Sequence, residues 1–142
     1  MNDGLTESDI ALIRNSFDRM WSASGRIVDM FYVRLFEIAP ETRQLFRGDM
    51  ELQKRKFVAT LAMIVGSLDD TAGLFSAVDR LARNHVGYGA RRDYYEPVGI
   101  ALLWAMERGL APGLWTDDTA AAWRKAYAML SSRMIAVSDR AA

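Results

Sequence analysis

Apolar side chains recur along this chain at helical spacing, with polar residues filling the gaps. Thr6 with Asp9 has the form of a capping box, and Ile10, Ile13, Phe17, Met20 and Trp21 then share one face of a first amphipathic helix. A Ser and Gly cluster from Ser22 to Gly25 predicts a break. Ile27, Phe31 and Leu35 mark a second helix that ends by Pro40. The stretch PETRQLFRGD then reads as one short helical turn and a tight connection. From about Met50 to Leu68 the face reads Gln53, Phe57, Leu61, Ile64 and Leu68, with Lys54, Arg55 and Lys56 mostly off it.

Thr71 is positioned to cap the next helix, whose inward stripe is Leu74, Val78, Leu81 and His85, and Gly87 and Gly89 supply its stop. Pro97 fits the first turn of a helix opening near Asp93 and carrying Val98, Leu102 and Ala105. Thr116 caps a last helix with Trp123, Tyr127, Leu130, Met134 and Val137 inward. No stretch alternates with a period of two for long enough to make a strand. The expectation is an all-α domain of roughly six main helices of about 12 to 25 residues, packed without the repeat of a solenoid.

The 142 residues amount to one domain, taken as 1–142, able to bury a core without disulfides. Cysteine is absent, which removes disulfides, thiolate metal sites and a cysteine nucleophile. Eighteen basic and eighteen acidic residues cancel, so no long-range field holds a polyanion, and nucleic acid is not expected as a partner. The opening MNDGLTESD is acidic and polar, unlike a secretory leader, and the apolar runs fall far short of the roughly 20 residues that span a bilayer. No membrane association and a cytoplasmic location are therefore expected. Trp104, Trp115 and Trp123 read as core ahead of interface, and the pattern singles out no oligomeric state.

His85 is the one histidine, and it continues an apolar stripe. A histidine so placed is either a satisfied core residue or a ligand. Zinc needs three or four protein ligands, which a single His without Cys does not supply. A Ser–His hydrolase also lacks its usual Gly-x-Ser-x-Gly turn. Haem iron is served by one protein nitrogen, because the porphyrin fills its equatorial positions. The other imidazole nitrogen would then donate outward, most simply to the carbonyl of Leu81 one turn back.

MFYVRLFEIAPETRQLF at 30–46, Gln53, NHVGYG at 84–89, YYEPVG at 94–99 and AWRKAY at 122–127 together resemble the globins. The closest likeness is to single-domain bacterial globins related to the haem domain of flavohaemoglobins. The resemblance implies a globin-like fold of about six to eight helices enclosing a haem b pocket. It implies His85 as proximal iron ligand, Phe46 stacked on the haem, and Tyr32 and Gln53 as the distal pair facing the gas. Phe57 then faces the ligand where relatives usually carry leucine or valine, a ring that narrows the space or pushes Tyr32 aside. Tyr88, Val98 and Lys56 join the haem contacts, and Lys56 or Arg55 pairs with a propionate.

The same resemblance puts Tyr95 near the histidine and Ser138 where such relatives carry a glutamate, which weakens the push toward O–O cleavage. Ferrous iron is expected five-coordinate, with water or a weak internal ligand such as Lys54 or Tyr32 in the ferric state. The implied function is reversible binding of dioxygen, with nitric oxide and carbon monoxide as further ligands. Alternatives are nitric oxide dioxygenation fed by a separate reductase, gas sensing, and a haem-free signalling module, against which the set His85, Phe46, Tyr32 and Gln53 argues.

Overall fold

The computed structural model describes residues 4–46, 48–87 and 92–141. They form α1 (Glu7–Met20), α2 (Ser24–Ile38), α3 (Met50–Gly66), α4 (Thr71–Gly87), α5 (Tyr95–Gly109) and α6 (Asp117–Ala141), with tight helical turns at Trp21–Ala23, Pro40–Leu45 and Arg92–Tyr94. No strand occurs among the described residues, and no helix among them is long and apolar enough to cross a membrane.

Local chemistry explains where the helices start. The Thr6 hydroxyl accepts from Asp9 N and the Asp9 carboxylate accepts from Thr6 N, both at 3.0 Å, so the expected capping box is complete. Thr116 Oγ1 likewise accepts from Thr119 N at 3.1 Å ahead of α6. At α4 the cap falls one residue earlier than expected. Asp70 Oδ1 accepts from Gly73 N at 3.1 Å, and Thr71 is the first helical residue. A carboxylate caps as well as a hydroxyl and also complements the helix dipole, so of two adjacent cap formers the aspartate takes the place.

The Ser22–Gly25 cluster interrupts the chain less than expected: after the Trp21–Ala23 turn, Ser24 and Gly25 already belong to α2. Leu68, expected on the α3 stripe, is buried in the turn beyond the helix. Gly87 closes α4, and Gly89 lies outside the described residues.

Helix α2 packs on α5, and α6 packs on both α4 and α1. Gly109 permits the α2–α5 contact, since a Cβ there would run into the Ile27 side chain. Across α1 and α6, Trp123 Nε1 donates to Ser16 Oγ at 2.8 Å, so the indole is buried without an orphaned donor. Arg133 holds α6 on α4 through a two-pronged contact with Asp79 at 2.8 and 2.9 Å and lies over the Phe75 ring. Trp123 is fully within the core, whereas Trp104 is half-buried between the guanidinium groups of Arg34 and Arg108. Trp115 is half-buried against the core.

Candidate functional site

A cavity of about 400 Å³ opens among these helices, within the size range of small-molecule and cofactor pockets. One part of its wall comes from α4, α5 and α6 and includes Leu81, Asn84, His85, Tyr95, Val98 and Tyr127. Another comes from α2, the Pro40–Leu45 turn and α3, and includes Tyr32, Leu35, Phe46, Gln53, Lys56 and Phe57. Of the residues singled out from the sequence as a haem site, His85, Tyr32, Gln53, Phe46, Phe57, Val98 and Lys56 all line this cavity, as does Tyr95. Tyr88 and Ser138 fall outside the residues whose side chains are described.

His85 sits one turn after Leu81 on α4, and its Nδ1 lies 2.8 Å from the Leu81 carbonyl oxygen. A carbonyl has no proton to give, so the shared proton belongs to Nδ1, and in the neutral imidazole the lone pair is then on Nε2. The ring is thereby fixed in the tautomer that binds a metal through Nε2. Among the described residues no three His, Cys, Asp or Glu side chains gather into a metal site. A metal on Nε2 must therefore bring most of its own donors.

Tyr32 is only 4% exposed and stands among phenylalanines from three elements. Its ring meets Phe46 edge-on at 5.3 Å and Phe57 edge-on at 6.0 Å, with Phe31 at 4.8 Å and Phe36 at 5.9 Å. Gln53 Nε2 donates to Tyr32 Oη at 3.3 Å, slightly longer than the usual range. That direction matters. The amide hydrogen is committed to the phenol oxygen, and the phenol's own proton stays available for a further acceptor. Burial raises the Tyr32 pKa above the ordinary tyrosine value, while the Gln53 hydrogen bond and the nearby Lys54 charge pull it down. The hydroxyl is neutral and protonated near neutral pH. Phe57 does not push Tyr32 off Gln53: its ring leans on Phe31 at 4.7 Å instead.

The basic residues of α3 divide. Lys56 is exposed and lines the cavity, whereas Arg55 is exposed and does not. Lys54, expected as a weak internal iron ligand, does not line the cavity either: its Nζ is 2.9 Å from Asp29 Oδ1 and 3.5 Å from Glu51 Oε1. An ammonium held in that way has neither the lone pair nor the position for a metal.

Tyr127, expected from its stripe as inward-facing core, also lines the cavity. Its ring lies against Gly99, where a Cβ would come within 2.5 Å of Cε2, and its hydroxyl donates to the Tyr95 carbonyl at the start of α5. Burial pushes this phenol well up. The bond joins α6 to the start of α5, where Tyr95 and Val98 line the cavity. The available signal was small: a glycine and a tyrosine on stripes of two different helices.

A family model described as Globin matches residues 29–134. A flavohemoprotein from Vibrio cholerae is 31% identical over 134 residues, covering 92% of this chain and 34% of its own length. The chain thus spans about a third of that relative. A globin-like protein from Aquifex aeolicus is 28% identical over 136 residues, with 96% of each chain covered. Among solved structures, an engineered carbene transferase made from a candidate nitric oxide dioxygenase of Rhodothermus marinus superimposes with a TM-score of 0.84 at 28% identity, covering 96% of this chain and 95% of that one.

Proposed function

We propose that this chain, which belongs to the globin family, holds haem b through His85 and takes up dioxygen reversibly in the space faced by Tyr32 and Gln53. The residues fit the group. A single imidazole with a free Nε2 lone pair serves a metal whose other donors are its own macrocycle, and a cavity of about 400 Å³ lined mainly by apolar and aromatic side chains accommodates a flat apolar ring. Lys56 stands at the exposed rim, where a carboxylate substituent of that ring would find a cation.

When bound, haem would supply an iron that His85 holds and that can take up a diatomic gas. The chain does the rest. Leu81 holds the His85 proton on Nδ1, which keeps Nε2 directed away from the helix. Phe46 and Val98 give the ring apolar contacts. Tyr32 offers its proton to the gas while Gln53 holds the phenol oxygen. A hydrogen bond to a partly negative acceptor is worth roughly 1.5 to 3 kcal/mol, about 10- to 150-fold in affinity, expressed mainly as slower release. Dioxygen held there carries more negative charge than carbon monoxide, so the hydroxyl favours dioxygen. With one histidine in the sequence, His85 would be the one imidazole the chain offers the iron.

The observation that carries this reading is that the tautomer-fixed imidazole and the Tyr32–Gln53 pair line one cavity. Absorption spectra of the reconstituted protein, with an oxygen dissociation rate, test it. Expected are a Soret band, a five-coordinate ferrous spectrum and slow release; sharp low-spin ferrous bands overturn the single-ligand arrangement.

A second reading draws on the likeness to the Rhodothermus marinus protein: nitric oxide dioxygenation, in which nitric oxide, dioxygen and one electron give nitrate. A separate reductase would supply the electron. Mixing the oxygenated protein with nitric oxide and then with cellular reductants separates the two. Oxidation that occurs once and is never reversed speaks for the carrier.

A further inference from the structure

Two cross-links join α2 and α3 within one turn of each other. Gln53 reaches Tyr32, and the next residue, Lys54, reaches Asp29, three residues before Tyr32. We propose that Lys54 is a positioning residue for the Tyr32–Gln53 pair: by bonding Asp29, it holds the opening turns of α3 at the height on α2 where the Gln53 amide meets the Tyr32 hydroxyl. This rests on Tyr32 being the donor to the gas.

The surroundings give such a tether a role. Val65, near the far end, is the fully buried residue of α3, whereas its opening turns pack through half-buried side chains, Met50 and Phe57 among them. Asp49 caps the helix by accepting from Glu51 N and Leu52 N at 3.0 and 3.5 Å, which holds its first turn helical. The Gln53–Tyr32 bond is long at 3.3 Å and is easily lost if that turn shifts. The Lys54 side chain is 22% exposed against 59% for Asp29, so the lysine stem lies along the protein and delivers its ammonium to the aspartate. Its charge also bears directly on the Tyr32 phenol.

The test is Lys54→Met, which keeps the stem and removes the charge, with Asp29→Asn as a second route to the same loss and Lys54→Arg as the conservative control. A partly exposed ion pair sets the scale: dioxygen release should quicken about two- to fivefold in Lys54→Met and Asp29→Asn, and Lys54→Arg should restore it. Release from the unaltered protein should quicken with salt, and release from Lys54→Met should not. The infrared stretch of carbon monoxide taken up by Lys54→Met should move toward its value in Tyr32→Phe. In a Tyr32→Phe background Lys54→Met should change nothing, because no hydroxyl is left to position. An unchanged rate and stretch beside a responsive Tyr32→Phe overturns this proposal alone, as does equal acceleration in both backgrounds. If Tyr32→Phe itself leaves release unchanged, the donor reading falls and takes this one with it.

Discussion

His85 and Tyr32 line the same cavity, yet the groups that orient them come from very different distances along the chain. The partner of His85 is the carbonyl of Leu81, four residues back on the same helix. Tyr32 takes its orientation from Gln53, 21 residues away, and from the rings of Phe46 and Phe57 on other elements. The His85 ring is thus oriented by the geometry of its own helix, and the Tyr32 ring by how helices pack. The orientation of His85 should therefore be robust to small shifts between helices, and the Tyr32–Gln53 pair sensitive to them.

The sharpest way to break this comparison is to remove its local half. His85→Ala deletes the sole imidazole and with it the proposed axial bond. The expected outcome is complete loss of haem retention on gel filtration, with added imidazole restoring a haem spectrum. An unchanged spectrum would mean that some other side chain holds the iron.

Tyr32→Phe comes next and addresses the long-range half. It keeps the ring among its phenylalanine neighbours and removes only the hydroxyl, so dioxygen release should accelerate about 10- to 150-fold. Burial raises the Tyr32 pKa above its ordinary value, and an acid with a raised pKa keeps its proton to higher pH. Slow release in the unaltered protein should therefore hold from pH 6 to beyond about 10, and a loss that sets in near neutrality would show that a different group donates.

This asymmetry also governs what the chain discloses by itself. Helix starts at Thr6 and Thr116, the stripe leading to His85 and the Leu81 carbonyl as its partner all follow from neighbours within four residues. Even the miss at α4 was a shift of one residue between two adjacent cap formers, Asp70 and Thr71. The pairing of Gln53 with Tyr32 was reachable only through likeness to globins, because nothing in either stripe states which helices meet. Lys54 was misjudged for the same reason. Its partner Asp29 lies on another helix, and without that contact an ammonium near the cavity reads as a candidate ligand.

Phe57→Leu sharpens the gas-facing side further. The ring is 4.7 Å from Phe31 and 6.0 Å from Tyr32, so its loss should lower stability by about 1 to 2 kcal/mol, read from urea unfolding. The freed volume lies beside Tyr32, and carbon monoxide should bind faster. Lower stability with an unchanged binding rate would assign Phe57 to packing alone.

The smallest effect belongs to the rim, where neither half of the comparison reaches. Lys56 lines the cavity but is exposed, so any pairing with a haem carboxylate competes with water and dissolved ions. Exposed pairs contribute about 0 to 1 kcal/mol, which limits Lys56→Ala to at most about fivefold faster haem loss. The screening length falls from about 10 Å at 0.1 M salt to about 3 Å at 1 M, so the difference from the unaltered protein should vanish at high salt. Arg55→Ala is the internal control, since Arg55 carries the same charge on the adjacent residue without lining the cavity. Equal effects from the two substitutions would mean that the net charge of α3, and not a contact at the rim, governs haem loss.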